Sequence, residues 1–372
     1  MERSIKNVVL ELLDQKYILL AGPRQVGKTF FSKHLLEPYT YLNFDEASHR
    51  RLITNKQWPR GKGLLILDEI HKMKSWKRFL KGLYDTEGTA QPVLVTGSAR
   101  LDTYKKGGDS LAGRHYSFRL MPLSVREVDP KRAEEVFELL LRFGGFPEPF
   151  LKASDRSVKL WRKGHLDVVL REDLLDLEKV RDIKSIEILV DLLAERVGST
   201  VSLSSLAKVL EVSPNTIKHW IQILENLYVI FTIRPYAAHP TKSILKEPKV
   251  YFYDTGRVPA EGGARLENTV ANHLLKRMHF LQDTQGDRRE LFYIKDKEKR
   301  EINFITLADK KVEWLIEVKS SESAFTTQLY YYHKKLKPQR TLQLVRGLRQ
   351  EYTTQEGLEA KDVASFLGGL ET

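Results

Sequence analysis

Gly22-Pro-Arg-Gln-Val-Gly27-Lys28-Thr29 sets two glycines, a lysine and a hydroxyl at the spacing G-x-x-x-x-G-K-[ST]. A loop of this kind bends tightly enough to aim backbone N–H groups at phosphates, and glycines permit the close approach. Gly22, Pro23, Arg24, Gln25, Val26 and Gly27 would form the cradle. Lys28 would neutralise charge between the terminal phosphates, and the Thr29 hydroxyl would hold magnesium. Further along, Gly63-Leu-Leu-Ile-Leu-Asp68-Glu69 is a buried-strand pattern ending in two carboxylates. Asp68 suits a magnesium ion held through water, and Glu69 suits orienting and activating an attacking water. Phosphoryl transfer needs positioning and charge neutralisation more than covalent chemistry, so these few groups suffice for hydrolysis. Pro92-Val-Leu-Val-Thr96 runs into Gly97-Ser98, which puts Thr96 or Ser98 beside the terminal phosphate as a sensor. The expectation is an ATP and Mg2+ site.

Such a site needs strands that end together. Apolar runs near 17–21, 41–44, 64–68, 92–96 and 115–120 alternate with helical patterns, which predicts an α/β sheet of mainly parallel strands with the nucleotide at their carboxyl ends. The Gly107-Gly108 pair and its charged neighbours read as a mobile loop between the fourth and fifth strands. That block spans 1–125. Residues 126–182 form a helical lid or connector, with helices expected at 132–142 and 160–180, and the turn Phe143-Gly144-Gly145-Phe-Pro147 ends the first.

From 183 to 244 the spacing predicts helices over 186–197, 203–210 and 214–227, then a strand over 228–234. Ser213 is placed as the N-cap of the third helix, with Pro214 at its first position. This is the outline of a winged helix-turn-helix, whose third helix would offer Asn215, Thr216, Lys218 and His219 to a DNA major groove.

The last block, 245–372, predicts a helix over 266–280, strands over 290–294, 301–307 and 312–319, and a helix over 326–336. Period two places Leu315, Glu317 and Lys319 on one face of the third strand. Glu301 and Asn303 share a face of the strand before it, and Glu267 opens the long helix. Carboxylates converging on magnesium would allow metal-assisted phosphodiester cleavage. Glu267, Asn303, Glu317 and Lys319 are the candidate second metal site.

At 372 residues, two or three domains are expected. Hydrophobic residues make up 41% of the chain, which excludes general disorder. No apolar run approaches the ~20 residues of a membrane span, and residues 1–16 are amphipathic and charged rather than a secretory signal. The absence of cysteine excludes disulfides, iron–sulfur clusters and cysteine zinc sites, and agrees with a cytoplasmic location. A formal net charge of +12 fits a polyanionic partner.

The P-loop, Leu67-Asp68-Glu69, Thr96-Gly97-Ser98, Leu111-Ala-Gly113-Arg114, Pro122-Leu-Ser124 and Gly144-Gly145-Phe-Pro147 follow one another in this order. Together they resemble a large prokaryotic group of AAA-type ATPases that carry a C-terminal domain with winged-helix and restriction-endonuclease-like, PD-(D/E)xK, parts. The resemblance covers nearly the whole chain. It implies a homo-oligomer whose sites are completed by a neighbour's arginine, with Arg114 the first candidate and Arg100 the second. Arg171-Glu-Asp173 resembles a family motif without an assignable chemistry. The family pattern Glu … Glu-Ile-Asp-Phe … Glu-Val-Lys stands here as Glu267 … Glu301-Ile302-Asn303-Phe304 … Glu317-Val318-Lys319. Asparagine at 303 keeps an oxygen but loses a charge, so a nucleic-acid-binding or structural remnant is expected over active cleavage. Two functions follow: an ATP-driven machine acting on DNA, or a signalling or scaffold ATPase whose nucleotide state controls a protein partner.

Overall fold

The computed structural model describes residues 1–61, 63–97, 111–173, 182–236, 247–260 and 263–371. Ser98, Arg100 and the Gly107-Gly108 pair lie outside the described residues. Two compact units divide the chain, Glu2–Met121 and Pro122–Thr372.

The first unit is built on five strands: β1 Tyr17–Ala21, β2 Tyr39–Asn43, β3 Leu64–Asp68, β4 Val93–Thr96 and β5 His115–Arg119. They pair in parallel in the order β2-β3-β4-β1-β5. Helices α1 Lys6–Leu12, α2 Lys28–Lys33, α3 Ala47–Thr54 and α4 Trp76–Glu87 accompany the sheet. A parallel sheet covered on both faces needs apolar residues at every position, which is why β3 reads Leu-Leu-Ile-Leu without alternation and is buried throughout. On one side, Trp76, Leu80 and Leu83 of α4, at helical spacing, pack with Leu65, Leu67 and Val95. The five strands stand where the apolar runs put them.

The second unit begins with helices α5 Val125–Val128, α6 Ala133–Phe143, α7 Pro147–Lys152 and α8 Asp155–Val168. The helix expected over 160–180 starts earlier, as α8, and widens into a π-type turn, Val169–Asp173; residues 174–180 lie outside the described residues. Then come α9 Ile183–Ala194, α10 Leu203–Val209 and α11 Pro214–Asn226. Ser213 caps α11 by accepting the Thr216 N–H at 3.1 Å, with Pro214 opening the helix. The strand expected from Tyr228 starts two residues later, as β6 Ile230–Pro235, because Tyr228 has φ +57°.

β6 forms an antiparallel hairpin with β7 Lys249–Phe252 and also runs parallel to β8 Arg289–Lys295. β9 Glu301–Ala308 and β10 Lys311–Lys319 continue the sheet antiparallel. β11 Arg340–Val345 and β13 Leu358–Asp362 extend it in parallel, and β12 Tyr352–Thr353 edges it. The result is an eight-stranded mixed sheet, β12-β13-β11-β10-β9-β8-β6-β7. The long helix α12 Ala264–Gln285 buries Leu266, Val270, Leu274, Met278 and Leu281, while α13 Thr327–Leu336 and α14 Val363–Gly368 complete the unit.

Candidate functional site

The loop after β1 has the backbone that its glycines allow. Gly22 (φ +150°) lies so close to the neighbouring strand's exit that a Cβ there would stand 2.3 Å from the Leu120 carbonyl oxygen. Gly27 (φ +98°) and Gln25 (φ +62°) also turn left-handed. Val26 is fully buried and anchors the loop from beneath. Arg3, which has no local sequence signal, donates to the Val26 carbonyl at 3.2 Å and to that of Met121, tying the amino terminus to the loop.

Lys28 is buried, and its ammonium donates to the Gly22 and Pro23 carbonyls at 2.9 and 2.7 Å. Those neutral acceptors hold it at the centre of the loop. A phosphate offers charged oxygens, which bind an ammonium about twice as strongly.

Asp68 is 5% exposed at the end of β3. Its Oδ2 accepts the Thr29 hydroxyl at 3.0 Å and the Tyr41 hydroxyl at 2.7 Å, and its Oδ1 accepts the Thr96 hydroxyl. The sheet order makes this meeting possible, because β2 and β4 flank β3 and Asn43 and Thr96 are in register with Asp68. Thr96 therefore donates its hydroxyl proton to Asp68 and holds that carboxylate in place. Burial, then the Asp68 carboxylate, pushes the Tyr41 hydroxyl well above its usual range, which keeps it a donor. Thr29 and Asp68 present hard oxygen donors side by side, a set suited to magnesium.

Glu69 follows in a left-handed conformation (φ +55°), and its N–H donates to the Thr96 carbonyl at 3.1 Å. A non-glycine residue held this way stores strain of about 1 kcal/mol or more. The turn leaves Glu69 partly exposed at the carboxyl ends of the strands. His71 Nε2 lies 3.5 Å from its carboxylate. Burial, then Lys72 and Lys28, lowers His71 to about 4, so it stays neutral at physiological pH. The neutral His71 ring therefore adds no positive charge beside Glu69. Tyr41 and His71 are functional neighbours that the sequence pattern does not single out.

Arg114 stands elsewhere. Its carbonyl accepts the Tyr17 N–H, so it flanks the amino ends of β1 and β5, about 13 Å of strand from its own P-loop. Its guanidinium pairs with Asp85 at 2.6 Å. In the second unit, Asn215, Lys218 and His219 are exposed on α11, while the half-buried Thr216 hydroxyl is 2.9 Å from the capping Ser213 hydroxyl.

Glu267 and Asn303 meet, but through the asparagine's amide nitrogen, which donates to Glu267 Oε2 at 2.8 Å. The Asn303 oxygen accepts the Val318 N–H at 2.9 Å. Glu317 pairs with Lys319 at 2.8 Å and accepts the Thr326 hydroxyl. Among the described residues, no group of three His, Asp or Glu side chains gathers as a metal cluster.

Comparison with known proteins follows the division into units. Residues 14–129 match an AAA domain. Residues 134–264 and 262–366 match two domains of unknown function, DUF8612 and DUF4143. An uncharacterised protein of Methanocaldococcus jannaschii is 23% identical over 370 residues, covering 89% of this chain and 81% of that protein. An uncharacterised protein of Mycobacterium tuberculosis is 30% identical over 243 residues, covering 64% of this chain and 54% of its own. The matched segment thus spans about half the length of the mycobacterial relative. Among solved structures, the RuvB Holliday junction branch migration motor of Thermotoga maritima is 20% identical, with a TM-score of 0.32 over 61% of this chain and 86% of that one. A Signal Transduction ATPase with Numerous Domains from Pyrococcus horikoshii is 13% identical, with a TM-score of 0.24 over 74% of this chain and 45% of that one. The amino-terminal unit is an AAA-type P-loop ATPase domain. Among the described residues, no helix is long and apolar enough to cross a membrane.

Proposed function

We propose that this protein binds ATP with magnesium, hydrolyses it, and couples the reaction to binding or remodelling DNA as a homo-oligomer. The observation that carries the hydrolytic part is the convergence of Thr29, Tyr41 and Thr96 on Asp68 beside a loop that already holds Lys28 at its centre. Thr29 and Asp68 would hold the magnesium, and Lys28 would neutralise the terminal phosphates. Glu69 takes the proton of the attacking water as its oxygen bonds to the outermost phosphorus and the anhydride bond breaks. The Arg114–Asp85 pair is exposed, so a neighbouring subunit's site can draw the guanidinium away at little cost.

The DNA part rests on the net charge of +12 and on α10, α11 and the β6–β7 hairpin, read as a winged helix over 183–244. The segment 126–182 serves as its connector to the ATPase core, and 245–372 as a nuclease-like domain without cleavage. One observation favours the second reading, a signalling or scaffold ATPase: of the exposed α11 residues Asn215, Lys218, His219 and Gln222, only Lys218 carries a permanent charge. ATP turnover measured at low salt with single-stranded, duplex and branched DNA separates the two. Stimulation by DNA that fades steeply as salt rises supports the first. Turnover indifferent to every DNA form leaves the second.

A further inference from the structure

Lys249, at the start of β7, is fully buried. An ammonium leaves water only where charge partners replace its hydration. Here they are Glu301 Oε1 from β9 at 2.6 Å and Glu267 Oε1 from α12 at 3.3 Å, with the Tyr293 ring 5.4 Å away. Glu267 is saturated further. The Tyr251 hydroxyl donates to Oε1 at 2.6 Å and the Asn303 amide to Oε2 at 2.8 Å. Glu301 Oε2 also meets Lys295 at 3.4 Å, and Glu317 pairs with Lys319. Three carboxylates thus face three ammonium groups.

We infer that the Lys249 ammonium takes the place of a divalent cation in this cluster, and that the site is an internal tie between the β6–β7 hairpin, α12 and β9 rather than a metal centre. The residues do not fit the magnesium that an endonuclease-like pattern implies. The oxygens of Glu267 already accept three donors, and the Asn303 oxygen is held by the backbone of β10. The inference also explains the departure at 303. An aspartate there would set a second carboxylate against Glu267, whereas the amide turns that repulsion into a hydrogen bond. Lys249 and Asn303 thus act together, each supplying N–H donors where a metal would have bound oxygens.

The test uses the full chain without nucleotide, in a Thr29→Ala background so that the P-loop contributes no metal position. Bound manganese is counted by electron paramagnetic resonance, and thermal unfolding is followed in EDTA and in millimolar manganese. The parent should take up no manganese and unfold at the same temperature in both. Asn303→Asp alone should behave like the parent. Lys249→Met with Asn303→Asp should gain one bound manganese where the parent has none, and be stabilised by it. Manganese binding by the parent, or by Asn303→Asp as tightly as by the double variant, overturns the inference. So does a double variant that neither binds manganese nor is stabilised by it. None of these results depends on ATP hydrolysis, so the outcome is independent of the ATPase proposal.

Discussion

Asp68 and Glu267 are both carboxylates beside a sheet, sheltered from water, and each receives three hydrogen-bond donors. At Asp68 the donors are the hydroxyls of Thr29, Tyr41 and Thr96. At Glu267 they are an ammonium, an amide and one hydroxyl, from Lys249, Asn303 and Tyr251. Hydroxyls make burial tolerable but leave the full negative charge in place, to be met by a cation that arrives with a ligand. An ammonium cancels the charge for good. The residue that decides whether a buried acid can serve a metal is therefore its partner, and in this chain the two units have made opposite choices.

The largest effect should come from the open site. Glu69→Gln keeps the loop, the proposed magnesium ligands and the left-handed turn but removes the proposed proton acceptor. Single-turnover hydrolysis should fall by roughly 10²–10⁴-fold while fluorescent-nucleotide affinity stays near that of the parent. Lys28→Ala should instead abolish nucleotide binding. Wild-type turnover in Glu69→Gln would remove the proton-accepting role and leave Asp68 as an acid with no demonstrated reaction beside it.

Removing one donor from each acid sharpens the contrast. Lys249→Met leaves Glu267 and Glu301 without their common cation, and urea unfolding should register a loss of about 3 kcal/mol. Tyr41→Phe removes a neutral donor, and its cost should appear chiefly as a fall of about tenfold in magnesium-dependent ATP affinity. If Lys249→Met proves neutral in urea while Tyr41→Phe is strongly destabilising, the opposition between closed and open acids is wrong.

These partners mark the limit of what the sequence discloses. The P-loop and Asp68-Glu69 are legible because their chemistry sits in contiguous residues at a fixed spacing, and the central strands β1, β3 and β4 because a doubly covered parallel sheet demands unbroken apolar runs. The α10–α11 turn is legible through Ser213-Pro214. Tyr41 is a different matter. It reaches Asp68 only because β2 pairs with β3, a fact of strand order that no local pattern carries. Lys249 opens an apolar strand, where a lysine ordinarily marks the solvated flank. Its burial follows from β9 and α12 closing over it. Asn303 is visible as a departure, but the acid its amide serves, Glu267, lies 36 positions earlier in the chain and meets it only through the fold. β11 and β13 carry glutamine, glutamate and lysine among their apolar residues, and their place in the sheet is set by pairing with β10.

Acid should reveal a feature the two units share. His71 in the first and His273 in the second are both held down to about 4, each chiefly by burial, with Lys72 and Lys28 adding to the first and Lys276 to the second. The His273 ring has a defined neutral form, since the Val125 N–H donates to Nε2 at 3.2 Å and Nδ1 must then donate to the Thr269 carbonyl at 2.8 Å. A second proton on Nε2 would break the Val125 bond. In the unfolded chain each ring takes up a proton near its ordinary value of about 6.5. In the folded chain each resists until about 4. The unfolded state therefore binds more protons in that window, and stability present above about 6.5 is lost as pH falls toward 4. Each histidine should contribute about 1 kcal/mol of loss per pH unit there, read by urea unfolding at a series of pH values. His71→Asn should flatten the profile of the first unit and His273→Asn that of the second, each without changing the other. A pH profile between 6.5 and 4 that neither substitution alters would mean the rings are protonated in the fold, and that Glu69 faces an imidazolium instead of a neutral neighbour.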